Sequence, residues 1–340
     1  MAEKYGTRHH EQVITPSLTD TLPDLVEHLD EPSDPLSICT YLIARMARQH
    51  VKVALGGDGG DELFGGYDRY YGYRYAGYYS LIPAIIRRYG IGSILNMVSD
   101  GGWYKSKAHQ IKWLHSLSFM KGSRRYSRSL SYFYFGPDWR DSLYGATMNG
   151  EVSGFEPEEA IWKPFESAHA SDPLDRMLNA DSFVRLPDHP VMISDRMSMA
   201  NSLEVRSPLM DHKVAEFAAR LPVNIKVRGR NLRYVQQRLL QRYLPKSILD
   251  RPKQGFSSAL PYMLADEYKR LFNVFLKESE LAKDDYLQQN AINSLLGEHL
   301  QGRRDNGNRL WLLLNSEVWY RMYIKHQDKE SLYNIIQAAA

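Results

Sequence analysis

The chain has 340 residues, 43% of them apolar, enough for a sizeable core and for about two domains or one large one. Its 43 Lys and Arg against 40 Asp and Glu leave a net charge of +3, which argues against a strong polyelectrolyte partner, and its one cysteine, Cys39, excludes an internal disulfide framework. No apolar run approaches the roughly 18 residues of a membrane span, and the first residues carry no apolar signal region, so a cytoplasmic protein with no nucleic-acid or membrane partner is expected.

In chain order, residues 8–14 read as a short strand. Residues 22–29 read as a helix closed by the turn Asp30-Glu-Pro-Ser-Asp-Pro35. From 36 to 50, Ile38, Leu42, Ile43 and Met46 recur at helical spacing. Val51 to Leu55 is a short apolar run that reads as a buried parallel strand. Strand, helix, strand in succession is the order of α/β folds with a parallel sheet. The tyrosine-rich stretch 67–79 reads as a helix packing amphipathic rings on a core, in preference to a base-stacking surface. Residues 81–98 are apolar-periodic with glycine interruptions, and 105–131 are basic and aromatic. The segment 145–159 reads as a surface loop. Residues 174–202 read as helix broken at Leu186-Pro-Asp-His-Pro190, and 213–220 and 233–243 as helices each ended by Leu-Pro. The stretch 262–322 is helical, with polar breaks at 302–308.

The most informative segment follows the run at Val51. Residues 56–66 hold six glycines and the acids Asp58, Asp61 and Glu62. Gly56, Gly57, Gly59 and Gly60 allow positive φ and close approach of a ligand to the backbone. A loop between strand and helix presents amide N–H groups to anions, yet these carboxylates would repel a bare phosphate. Both features agree if Mg²⁺ joins them, because it takes one or two carboxylates together with phosphate oxygens. The segment points to Mg-nucleotide chemistry beyond the carboxyl end of a strand.

Three other places are candidates. Asp250-Arg-Pro-Lys-Gln-Gly-Phe256 displays Lys253 from a stiffened turn, either solvated or poised to neutralise charge on phosphoryl oxygens. In Ile193-Ser-Asp-Arg-Met-Ser-Met-Ala200, Met197 and Met199 suit core gaps, with Asp195 and Arg196 partly buried beside them. Glu204 and Arg206, two apart in an extended segment, face the same way and can pair, for structure or for chemistry. His9-His10-Glu11 is no zinc site, because neighbours on a strand point to opposite faces.

Taken in order, Gly6-Thr-Arg-His-His-Glu11, the Gly-acid loop through Tyr67, Asp195-Arg-Met-Ser-Met199, Ser202-Leu-Glu-Val-Arg206 with Pro208 and Asp211, Arg251-Pro-Lys-Gln-Gly-Phe256, Gly302-Arg-Arg-Asp305 and Arg309-Leu-Trp311 resemble the synthetase domain of glutamine-dependent asparagine synthetases. The resemblance spans essentially the whole chain. It implies an α/β fold with a parallel-sheet adenine nucleotide α-hydrolase-like core (the ATP-pyrophosphatase, HUP-type fold), incomplete and followed by a mostly helical part. The expected division of this single domain, 1–340, is 1–70 for the α/β core and 71–340 for helices completing the site. The implied chemistry is adenylation of aspartate by ATP with Mg²⁺, then attack by ammonia to give asparagine. By motif, Gly56 and Gly57 would contact the nucleotide with Gly59 and Gly60, and Asp61 would hold Mg²⁺. Asp58 would orient substrate or accept a proton, and Lys253 would stabilise the adenylation transition state. Asp195, Arg196, Glu204 and Arg206 would serve substrate or structure.

The family's pyrophosphate loop, Ser-Gly-Gly-x-Asp-Ser, occurs nowhere in residues 1–340, and the family's Ser is replaced by Gly56. The reading also expects the N-terminal glutaminase to be absent. The expectation is therefore a partial synthetase, weakly active or inactive alone, taking ammonia from a glutaminase domain or chain and completed by a partner chain. Alternatives are an amidotransferase acting on a polysaccharide or peptide carboxylate, as in relatives encoded with exopolysaccharide systems, and a non-catalytic nucleotide-binding scaffold.

Overall fold

The computed structural model describes residues 1–13, 16–32, 35–98, 106–130, 137–251 and 265–338. Helix α1 (Leu22–Leu29) has Pro23 in its first turn, where an N–H has no helical partner to lose, and ends on Asp30 in the left-handed conformation. Helix α2 (Leu36–Arg48) buries Ile38 and Leu42, and leads to strand β1 (Val53–Leu55). The Gly-acid loop opens α3 (Gly60–Phe64), followed by α4 (Asp68–Tyr79). A π-helical turn, Ile86–Ile91, then runs on into α5 (Gly92–Met97) with Gly92 still at right-handed helical dihedrals.

Helices α6 (Lys107–Leu117), α7 (Gly122–Leu130), α8 (Glu159–Glu166) and α9 (Pro173–Phe183) come next. The break expected at Leu186 to Pro190 is a second π-helical turn, Pro187–Val191, which passes directly into α10 (Met192–Met199). Strand β2 (Glu204–Arg206), α11 (His212–Arg220) and α12 (Tyr234–Leu240) follow. The C-terminal part holds α13 (Ala265–Leu276), α14 (Gln289–Leu300), α15 (Gly307–Tyr323) and α16 (Lys329–Ala338).

β1 and β2 pair in parallel, Val53 opposite Glu204 and Leu55 opposite Arg206. Among the described residues the sheet has these two strands. The helical majority and the one parallel pair are compatible with the α/β reading. The expectation of a buried strand is not met: Val53 is 42% and Leu55 74% exposed. Opposed residues on parallel strands share a face. Val53, Leu55, Glu204 and Arg206 therefore form one open side, and only Ala54 and Val205 turn toward partly buried surroundings.

Two further expectations are corrected. Residues 8–13 form no strand and are exposed; alternation alone does not make a ladder without a neighbouring strand. In 145–159, Ala146–Glu151 is helical, because this turn docks on a distant one: Gly145 N–H donates to Tyr286 O (2.8 Å) and Ala146 N–H to Asp285 Oδ2 (3.2 Å).

The main core joins α1, α2 and α10 to the C-terminal helices, through residues such as Leu25, Ile38, Met197, Phe272, Trp311 and Leu332. A second core lies among α4, α7, α8 and α9, with Tyr70, Tyr126, Phe165 and Met177, and includes Val227 and Leu232. The tyrosine-rich helix thus packs Tyr70 and Tyr73 inward, as its sequence suggests, while Tyr75 and Tyr78 stay exposed. A small third cluster, Ala76, Trp113 and Leu117, fastens α6 to α4.

Candidate functional site

The Gly-acid loop is laid over the segment that follows β2. Gly56 N–H donates to Arg206 O (2.8 Å), and Ser207 Oγ donates to Asp58 Oδ2 (3.2 Å). Gly59 has φ +84°, and a Cβ there would lie 2.7 Å from Met210 Cγ, so both conformation and space call for glycine. A Cβ on Gly57 would meet nothing within 4 Å, which leaves that peptide open to a ligand.

A third segment completes the surroundings. Arg233 N–H donates to Gly65 O (3.1 Å), and Arg233 Nη1 lies 3.5 Å from Asp61 Oδ1. Gly66 N–H donates to Asp61 O (2.8 Å), and a Cβ on Gly66 would sit 1.8 Å from Asp61 Oδ1. The carboxylate is thus fixed between a glycine and a guanidinium. Glu62 points the other way, buried, and accepts a hydrogen bond from Tyr67 Oη. Burial raises the Tyr67 phenol well above its ordinary range, and it stays protonated as the donor. Its ring also faces the guanidiniums of Arg69 (4.0 Å) and Arg185 (4.8 Å).

Beside Asp61 a cavity of about 230 Å³ is lined by Asp68, Tyr71, Arg230, Leu232, Arg233 and Gln237. Burial, and then the neighbouring Asp68, push the Tyr71 phenol up to about 12. The Arg230 guanidinium stands 5.5 Å from the Tyr71 ring. Arg233 belongs to both the cavity and the Asp61 pair. Carboxylates able to take a hard cation therefore sit next to guanidiniums able to take an anion.

Of the residues singled out from sequence, Gly56, Gly57, Asp58, Gly59, Gly60 and Asp61 lie together, with Glu204 and Arg206 on the adjacent strand. Glu204 and Arg206 pair, Nε to Oε1 at 2.8 Å, on the exposed side of the sheet. Asp195 and Arg196 lie on α10: Asp195 is exposed and Arg196 half-buried, while Met197 is in the core and Met199 is exposed. Asp195 and Met199 are therefore corrected, because they stand four positions apart on one side of the helix, away from the stripe of Ile193 and Met197. Lys253 lies outside the described residues. Arg230 and Arg233 were missed. Their signal was available: Arg228-Gly-Arg-Asn-Leu-Arg233 puts three arginines around one glycine turn.

The family model for asparagine synthase matches residues 1–321. The chain belongs to the asparagine synthase family. A putative glutamine-hydrolysing asparagine synthetase of Mycobacterium bovis is 31% identical over 96% of this chain and 48% of its own length. A Mycobacterium tuberculosis protein of the same description shows the same figures, 31%, 96% and 48%. Asparagine synthetase [glutamine-hydrolyzing] 1 of Bacillus subtilis is 26% identical over 98% of this chain and 52% of its own length. This asparagine synthase family chain thus spans about half the length of these curated relatives. Among its described residues, no helix is long and apolar enough to cross a membrane.

Proposed function

We propose that this chain forms the ATP-dependent, amide-forming part of an asparagine synthase-type ligase. In that reaction the side-chain carboxylate of aspartate attacks the α-phosphorus of ATP, pyrophosphate leaves, and ammonia displaces AMP to give asparagine. The observation that carries the reading is a loop at the carboxyl end of a parallel strand that holds Asp58 against Ser207 and Asp61 against Arg233, beside an arginine-lined cavity.

The donor set fits Mg²⁺, which uses one or two carboxylates and leaves its other positions to water and phosphate. Asp61, partly exposed beside Gly66 and Arg233, would hold the ion, with Asp58 near it; bound there, the ion would neutralise charge on the pyrophosphate leaving group. Gly56, Gly57, Gly59 and Gly60 would let the nucleotide approach the backbone. Arg233 would bind the same phosphates, favouring charge that develops in the transition state. Asp58, oriented by Ser207, would position the acceptor or take a proton from the attacking ammonia. Lys253 keeps the role its motif suggests, as a second cation at the phosphates.

Ammonia would come from a glutaminase domain or chain, and a partner chain would complete the site. The acceptor is aspartate in this reading, and a polysaccharide or peptide carboxylate would use the same adenylation groups. Titration of the full chain with Mg-ATP by calorimetry is the first test. Saturable, Mg-dependent heat whose affinity falls at least about tenfold in Asp61→Ala, a loss of ~1.4 kcal/mol, supports the site. A folded chain with no such heat, or one that binds equally well after Asp61→Ala, overturns it. ATP–pyrophosphate exchange with aspartate then tests adenylation itself.

A further inference from the structure

We propose that the helix running from Ile86 through Met97 docks on an anionic lipid surface. This helix is turned inside out. The side chain it buries is a cation: Arg87, 5% exposed, donates to Ile82 O (2.8 Å), Ser118 O (2.8 Å) and Ser118 Oγ (2.6 Å), and lies over the Phe119 ring at 4.6 Å. Gly92 is buried and Ile91 and Leu95 half-buried on the same stripe. The opposite side is apolar and bare: Ile85 is 69% exposed, Tyr89 69%, Ile94 65% and Met97 87%. Leu81, 82% exposed, and Tyr78, 67%, extend the patch along the approach to the helix. Single exposed apolar residues need no explanation, but four on one side of a helix, continued by two on the turn that leads into it, mark an interaction surface.

Charge decides what fits it. Of the nine Lys and Arg in residues 81–130, Arg87 and Arg125 are buried, while Arg88, Lys107, Lys121 and Arg124 are exposed, against one acid, Asp100, in a protein whose totals are nearly balanced at 43 and 40. Arg88 is exposed on the helix itself, and Lys112 Nζ, on α6, reaches Val98 O at 2.6 Å beside the helix end. A second copy packed symmetrically on this face would bring the same cations together across the contact and repel. A bilayer with anionic headgroups matches both parts: apolar side chains enter the boundary of headgroup and acyl chain, while the cations meet phosphates. The expectation of no membrane partner came from the lack of a spanning run. A helix lying in the interface needs only one apolar side, so the composition does not exclude it.

Co-sedimentation of the full chain with vesicles tests this, using phosphatidylcholine alone and phosphatidylcholine with about one-third phosphatidylglycerol. The expected result is salt-sensitive binding to the anionic vesicles, at least about tenfold tighter than to the neutral ones. Tyr89→Glu with Met97→Glu should abolish it. Arg88→Glu with Lys112→Glu should weaken it by about fivefold or more per charge. Tyr89, Met97 and Arg88 are exposed and Lys112 is half-buried, and unchanged circular dichroism and melting would show that folding is kept. No binding to either vesicle, equal binding to both, or self-association of the chain that Met97→Glu abolishes would each overturn the proposal.

Discussion

Gly59 shows how one residue sets the site. Its left-handed backbone turns the chain from β1 into α3, and Met210 Cγ closes the space a side chain would need. Gly59→Ala should lower stability by about 1–3 kcal/mol, from the left-handed conformation plus the Met210 clash. Met210 ends in a flexible side chain, so the double variant Gly59→Ala, Met210→Ala separates the two costs. In urea unfolding the pair should recover the steric part and retain the backbone part. A Gly59→Ala chain as stable as the parent would show that the turn is not strained. The loop was legible in sequence because its reasons are local: glycines where φ must be positive, carboxylates within a few residues of a strand end. Arg233 was not, because its contact with Asp61 spans 172 positions and nothing near Asp61 announces it.

At the scale of elements, apolar period identified most helices, among them α1 with its observed bounds and the C-terminal series with its polar break. The period says that a segment is amphipathic and not what covers its apolar side. β1 and the helix from Ile86 to Met97 both look like core from their residues, and both carry exposed apolar side chains. Beneath that helix sits His115, with Tyr79 Oη 2.9 Å from its Nδ1 and Phe119 edge-on at 5.0 Å. Burial, and then the charge of Arg87, hold the imidazole below its ordinary 6.5. The folded chain therefore resists protonation where the unfolded chain accepts it. Below 6.5 the unfolded state binds more protons, so stability falls as pH falls until the folded pKa is passed, and is fully restored above 6.5. The urea midpoint should drop between about pH 7 and about pH 5 more steeply in the parent than in His115→Gln. Parallel slopes in the two chains would remove His115 from the account.

Over the whole molecule, the second core is organised around a buried charge. Asp181 on α9 accepts from Arg69 Nη2 (2.6 Å) and Tyr70 Oη of α4 and from Tyr126 Oη (2.9 Å) of α7. Burial works against the Arg69 charge, and Asp181 more than offsets this, holding the guanidinium charged. Removing one member leaves the other charge without its counter-ion in the interior. Asp181→Ala should therefore cost about 3–5 kcal/mol, measurable by chemical unfolding. A loss under about 1 kcal/mol, the size of an exposed pair, would show that water reaches Arg69. The same network reaches the site, because Arg69 stacks on Tyr67 and Tyr67 donates to Glu62, one residue past Asp61.

The amino-acid order by itself determined most of the helices, the strand that ends in the Gly-acid loop, and the lineage, since these depend on short-range spacing and on motifs carried within single segments. Only tertiary structure decided that Arg233 meets Asp61, that Asp181 collects three donors from two helices, and that β1 and the Ile86–Met97 helix keep apolar sides exposed. A side chain's period is written in its neighbours along the chain. Its burial and its charge partners depend on which distant segment arrives, and chain order does not state that.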